Sequence, residues 1–211
     1  MIACSTKRLP QVAPEFAHIK RYWDAIDECV VARVQPGEYY LTTEEELIST
    51  VLGSCVSACV RDPIAGVGGL NHFMLPAGEG EGAWSTTTAA GANRYGNYAM
   101  EHLINDILNA GGMRKHLEFK VFGGGRMIQG MADVGKRNVS FIRKYLATEG
   151  FNILAEDLGS VFSRKVLFSP LSGRVKVKKL RALHSKTVAQ RDTEYEHTLT
   201  NKPISGDVEL F

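Results

Sequence analysis

The stretch from Ser49 to Pro76 constrains the fold more than any other part of the chain, because it reads as a β-hairpin. Ser49-Thr-Val-Leu-Gly-Ser-Cys-Val-Ser-Ala-Cys-Val60 and Val67-Gly-Gly-Leu-Asn-His-Phe-Met-Leu-Pro76 are apolar and β-prone. They flank Arg61-Asp-Pro-Ile-Ala-Gly66, whose Asp-Pro pair and glycine are turn-forming. With the turn centred between Pro63 and Ile64, Val60 opposes Val67, and the same antiparallel register carries Cys55 opposite His72. Directly opposed residues hold their Cβ atoms about 4.5–5.5 Å apart, a spacing that suits a hydrogen bond between thiol and imidazole. A slip of one residue would send the two side chains to opposite faces.

Around this hairpin the pattern alternates between strand and helix. Residues Met1 to Gln35 are polar and irregular, with Pro10, Pro14 and one apolar cluster, Cys29 to Val34. They read as a weakly ordered arm (about 1–35) leading into a first strand or turn. Pro36-Gly37 is a turn signal, Tyr39 and Tyr40 follow, and Glu44 to Glu46 form a short solvated acidic run. After the hairpin, Ala77 to Gly96 is glycine-rich and without hydrophobic period, as in a binding loop, a lid or a surface excursion.

Met100, Leu103, Ile104, Ile107 and Leu108 then recur at helical spacing until Gly111-Gly112. Leu117, Phe119 and Val121 alternate as a half-buried strand running into Gly123-Gly-Gly125. Lys136 to Thr148 reads as a second helix, with Val139, Ile142, Tyr145 and Leu146 on one side. Further strands are expected at Phe151 to Leu158, Val166 to Phe168, and Val175 with Val177. Beyond His184 the chain becomes a polar tail (about 185–211) with weak helical character from Val188 to Leu199. No internal repeat is present, and the order of elements predicts one α+β domain over 1–211.

Composition excludes several function classes. A chain of 211 residues can bury about 70% of its unfolded surface without a metal or disulfide to complete the core. Twenty-five basic against 23 acidic side chains give a net charge of +2, too balanced for a general polyanion-binding surface. The nine Lys and Arg residues between Arg164 and Arg191, with no Asp or Glu among them, alternate in part and read as an exposed strand face, so no nucleic-acid partner is expected. Four cysteines are too few for a disulfide scaffold, no CxxC pair begins a zinc site, and His18, His102, His116, His184 and His197 lack metal-ligand spacing. Met1 to His18 lacks the apolar core of a signal peptide, and no run approaches the ~20 apolar residues of a membrane span. Reduced thiols in a cytoplasmic protein without membrane insertion are the expectation.

Chemistry concentrates at Cys55 and His72. A free thiol has a pKa near 8.5; a neighbouring imidazolium lowers it, and the histidine can later protonate a leaving group. Gly53 and Ser54 precede the cysteine, where exposed backbone N–H groups would stabilise an oxyanion. Against this, a free cysteine is more often a small buried apolar residue, and spacing alone leaves both readings open. Cys59 shares the face of Cys55 but lacks a histidine partner and reads as buried, while Cys4 and Cys29 lie in the arm.

Leu52-Gly-Ser-Cys-Val56, Asp62-Pro63 and Gly68-Gly-Leu-Asn-His-Phe-Met-Leu-Pro76 resemble the signature of the CheD family, the chemoreceptor glutamine deamidases of bacterial chemotaxis. The resemblance continues through Val121-Phe-Gly-Gly-Gly-Arg-Met127, Gly135-Lys-Arg-Asn-Val139, Ala155-Glu-Asp-Leu-Gly159 and Gly206-Asp-Val-Glu-Leu-Phe211, and so covers about Tyr40 to Phe211. It implies Cys55 as nucleophile, His72 as its partner, and a third hydroxyl six positions before the cysteine. That position is Ser49, with Thr50 beside it as the alternative.

It implies further a mixed α/β sandwich like that of the cytotoxic necrotizing factor-type cysteine hydrolases. The implied reaction is conversion of glutamine to glutamate through a cysteine thioester, with no metal or organic cofactor. The implied partners are the cytoplasmic helical region of chemoreceptors and a CheC-type phosphatase. A non-catalytic chemotaxis docking protein and a thiol transglutaminase or protease are the competing readings.

Overall fold

A computed structural model describes residues 9–75, 89–126, 134–180 and 182–201. The strands are β1 (Lys20–Asp24), β2 (Cys29–Arg33), β3 (Tyr39–Thr42), β4 (Glu46–Leu52), β5 (Val56–Asp62), β6 (Val67–Asn71), β7 (Glu118–Gly123), β8 (Ile153–Leu158), β9 (Arg164–Phe168) and β10 (Val175–Lys179). The helices are α1 (Ala89–Asn109), α2 (Val134–Thr148) and α3 (Ala182–Asn201). The first two strands fall inside the segment read as an arm, and β2 is buried at four of its five positions. Cys4, the 206–211 block and residues 77–88 of the glycine-rich stretch lie outside the described residues. No helix among the described residues is long and apolar enough to cross a membrane.

The fold is α+β, with two mixed five-stranded sheets in the orders β1-β2-β4-β9-β10 and β3-β6-β5-β7-β8. The β2–β4 and β7–β8 pairs run parallel and the others antiparallel. The sheets pack face to face, with Ile48, Leu52, Val166 and Phe168 of the first meeting Tyr40, Cys59, Leu70 and Phe122 of the second. On its other face the second sheet carries α1 and α2, through Val56, Ala58 and Val60 against Met100, Leu103, Ile107 and Ile142. A strand enclosed on both sides has no solvent face to mark with polar residues. That explains why β5 reads as a continuous apolar run.

The run read as solvated, Glu44 to Glu46, is exposed only at its first two residues: Glu46 is buried and pairs with Arg21 at 2.8 Å. The structure corrects two further sequence readings. Helix α1 starts at Ala89, so residues 89–96 are helical rather than loop. Its first two turns lack an apolar stripe, but Ala89, Ala90 and Ala92 favour helix and the packed second half extends into them.

The hairpin register is the second correction. Asp62 pairs with Val67 and Val60 with Gly69, and a bridge joins Val56 to Phe73. Asp62 tightens the turn, because its Oδ1 accepts the N–H groups of Ile64 (2.8 Å) and Ala65 (3.0 Å) while its carbonyl accepts that of Gly66 (3.0 Å). The register therefore differs by two residues from that expected, and His72 is not directly opposite Cys55. An even shift preserves the face, so Cys55 and His72 remain on one side of the sheet as diagonal neighbours.

Candidate active site

Cys55 sits on the bend between β4 and β5, in the layer between the two sheets, and is fully buried. Two separated sequence blocks hold that bend. The N–H groups of Gly124 and Gly125 donate to the carbonyls of Cys55 and Gly53, both at 2.7 Å. Asn138, on α2, donates from Nδ2 to the Ser54 carbonyl (2.8 Å) and accepts the Leu75 N–H on Oδ1 (2.9 Å). Gly123 adopts φ +108°, and a Cβ there would stand 2.2 Å from the Cys55 carbonyl oxygen. Only glycine combines that backbone angle with so close an approach. The Gly-Gly-Gly and Gly-Lys-Arg-Asn blocks are thus the backing of the cysteine bend.

His72 follows β6 and is fixed by its backbone, donating to the Glu38 carbonyl (2.9 Å) and accepting from Gly37 N–H (2.8 Å). Its Nδ1 lies 2.7 Å from the Thr50 hydroxyl oxygen. That hydroxyl donates its one proton to the Val34 carbonyl at 2.9 Å. Thr50 must then accept from the ring, so the neutral imidazole carries its proton on Nδ1 and leaves Nε2 as the acceptor. Nε2 is buried without a hydrogen-bond partner.

The structure brings Thr50, rather than Ser49, to the histidine. Thr50 shares the inward face of β4 with Ile48 and Leu52, and the pleat turns Ser49 the other way. Counting positions back from the cysteine marked Ser49; strand alternation is the signal that separates the two hydroxyls.

The other side of the site is α3, which the sequence reading did not place there. The Ser54 N–H and hydroxyl both donate to Asp192 Oδ2, at 2.7 and 2.8 Å. Arg191 donates from Nη2 to the Val51 carbonyl (2.7 Å) and meets Asp192 Oδ1 at 3.2 Å. The Tyr195 and Tyr95 hydroxyls are 2.6 Å apart. Burial, followed by the charge of Asp192, pushes the Cys55 thiol well above its ordinary range. Burial, followed by the Arg191 guanidinium, holds His72 well below its own. In this conformation the pair is thiol and neutral imidazole. Among the described residues, Ser54 supplies the backbone donor that faces the site.

Cys59 is buried in the intersheet layer, where burial pushes its thiol strongly upward. The Cys29 thiol lies 3.4 Å from the Glu45 carbonyl. Among the described residues, no three His, Cys, Asp or Glu side chains gather as metal ligands.

A family model described as CheD chemotactic sensory transduction matches residues 74–179. The match begins just past His72, whereas full-length relatives align across nearly the whole chain. A protein of Hahella chejuensis is 48% identical over 202 residues, covering 96% of this chain and 95% of its own. One from Halorhodospira halophila is 50% identical over 204 residues, covering 96% and 94%. One from Saccharophagus degradans is 45% identical over 209 residues, covering 97% and 95%. All three carry the name "Probable chemoreceptor glutamine deamidase CheD".

Proposed function

The chain belongs to the CheD family, and from that membership we propose that it deamidates glutamine side chains of chemoreceptors to glutamate, with Cys55 as nucleophile and His72 as base. The observation that carries this assignment is the His72 ring: Thr50 accepts the Nδ1–H hydrogen bond, and the buried Nε2, on the face His72 shares with Cys55, has no hydrogen-bond partner among the described residues.

The steps follow from those positions. Nε2 of His72 takes the thiol proton, and the thiolate attacks the glutamine carboxamide carbon. The oxyanion so formed is met by the Ser54 N–H, a donor already directed into the site. His72 returns the proton to the departing nitrogen, ammonia leaves, and a thioester to Cys55 remains. Water, activated by the same Nε2, hydrolyses the thioester to the glutamate carboxylate and restores the thiol. Thr50 keeps the ring in the tautomer that both half-reactions use.

We also read the two-sheet layering, with α1 and α2 on the outer face of the second sheet, as a fold of the cytotoxic necrotizing factor-type cysteine hydrolases. We assign the substrate to the helical cytoplasmic region of chemoreceptors, a CheC-type phosphatase as a second partner, and the cytoplasm as the place of action. Mass spectrometry of a receptor fragment incubated with the protein should show glutamine-to-glutamate conversion. Cys55→Ala should abolish it; conversion at the wild-type rate by that variant would sink the nucleophile assignment. Incorporation of a labelled amine, or peptide-bond cleavage, would identify the transglutaminase or protease chemistry instead.

A further inference from the structure

The helix in front of the site presents a carboxylate to the donors the reaction needs. Val188, Asp192, Tyr195 and Leu199 recur at spacings of four, three and four, and so share one face of α3. That face is the one turned inward: Val188 is 7% and Asp192 4% exposed, and Tyr195 and Leu199 pack on the intersheet core. Gly37 (φ +84°) makes room for Tyr195, since a Cβ there would stand 2.7 Å from the tyrosine hydroxyl oxygen. With α3 in place Cys55 and His72 are 0% and 1% exposed, and no glutamine of another protein can reach them in this arrangement.

Asp192 is placed specifically. Its Oδ2 accepts the backbone N–H and the hydroxyl of Ser54, the residue next to the nucleophile, and its negative charge adds to burial in raising the Cys55 thiol. A carboxylate is planar, close in shape to a carboxamide, and is the group that glutamine hydrolysis produces. We propose that α3 is an intramolecular product mimic: Asp192 fills the side-chain subsite of the deamidase, and the helix must leave before a substrate glutamine enters. This rests on the reading of Cys55 and His72 as the hydrolytic pair.

The contacts holding α3 fit a segment that can release. Among the described residues they are mainly side-chain bonds from Arg191, Asp192 and Tyr195, with apolar packing at Val188, Tyr195 and Leu199, and the Arg191 Nε is buried without a hydrogen-bond partner. Elements that open in function are drawn from such low-stability contacts. Release would also remove the negative charge beside the thiol and the positive charge beside the imidazole. Both charges oppose formation of the thiolate–imidazolium pair.

The test uses the full chain. Asp192→Ala/Tyr195→Ala should raise the rate at which iodoacetamide alkylates Cys55 near neutral pH by about tenfold or more, since it removes both Ser54 bonds to the carboxylate and the Tyr195–Tyr95 bond. Peptide mapping keeps Cys55 apart from Cys59. Receptor deamidation should rise with it, and a peptide spanning residues 182–201 added in trans should reverse both effects. The same peptide with Asp192→Ala should not. Tyr195→Phe, which deletes only the bond to Tyr95, should give a smaller rise in the same direction and cannot be mistaken for unfolding. Unchanged alkylation in a variant with native circular dichroism would overturn the proposal. So would a fall in deamidation, which would make Asp192 a constructive part of the site. Deamidation that survives Cys55→Ala in the loosened variant would instead fault the nucleophile assignment.

Discussion

Behind Cys55 and His72 most restraints come from the backbone. The Cys55, Gly53 and Ser54 carbonyls are bonded to Gly124, Gly125 and Asn138, and both backbone polar groups of His72 are bonded to the segment just before β3. In front of the pair, α3 is held largely by side chains. A backbone cradle buried between packed layers has almost no freedom to readjust, whereas side-chain contacts to one polar helix break in steps. On the proposed assignment, reaction geometry is stored in the first region and access in the second. Changes to the two should differ in kind: inner substitutions should lower turnover or stability, and outer ones should raise exposure.

The largest expected effect is at the inner wall. His72→Gln keeps a polar side chain near Thr50 but has no titrating nitrogen, so kcat should fall by roughly 10²–10⁴. Circular dichroism should remain native; a loss under about tenfold would mean that another group takes the thiol proton. Next in size is Thr50→Val, which leaves the Nδ1 proton without its acceptor. A buried unsatisfied donor costs about 1–3 kcal/mol, so turnover should drop by about tenfold or more. Ser49→Ala should leave turnover within about twofold, since it faces away; reversal of the Thr50 and Ser49 effects would overturn the β4 face assignment.

Asn138→Ala reports on the cradle rather than the chemistry. It orphans the Ser54 carbonyl and the Leu75 N–H together, and chemical denaturation should show a loss of about 1–3 kcal/mol. A surface-like change of under about 0.5 kcal/mol would show that water replaces both bonds.

The two regions were not equally readable. The strands and amphipathic helices of the inner layers announce themselves through periodicity, as in Met100 to Leu108 and Val139 to Leu146. The Cys55–His72 association survived a wrong register because the error was even. The register itself was hidden because the Asp62 side chain tightens the turn through Ile64 and Ala65 while a tertiary bond from Met113 (2.8 Å), which no local pattern encodes, holds its other oxygen. Thr50 over Ser49 was decided by which face of β4 meets the second sheet. Helix α3 was the hardest to read: two of its inward positions are Asp192 and Tyr195, so an apolar stripe is largely missing where the helix packs. A polar residue repeating at helical spacing with Val188 and Leu199 was the available signal, and its meaning needed the Ser54 N–H beside it.

The smallest prediction concerns stability against pH, where inner and outer regions act together. His72 is held neutral by burial and by Arg191, so its folded pKa lies below the unfolded value near 6.5. As pH falls through that value the unfolded chain binds a proton that the folded chain refuses, and stability declines. Cys55 has the opposite sign. Burial and Asp192 raise its folded pKa, so above about 8.5 the unfolded thiol ionises while the folded one does not, and stability declines again. Each such group costs up to about 1.4 kcal/mol per pH unit in its window. Asp62 does not confuse the acid side: against the upward push of burial, N–H bonds from Met113, Ala65 and Ile64 hold its carboxyl below the usual range, so its window lies well below that of His72. Thermal unfolding followed across pH should give a plateau between about 6.5 and 8.5. His72→Gln should flatten the acid limb alone, and Asp192→Ala should soften the alkaline limb by letting the folded thiol ionise sooner. An acid limb unchanged in His72→Gln would mean that the ring is already charged in the folded chain, and the Nε2 base would lose its footing.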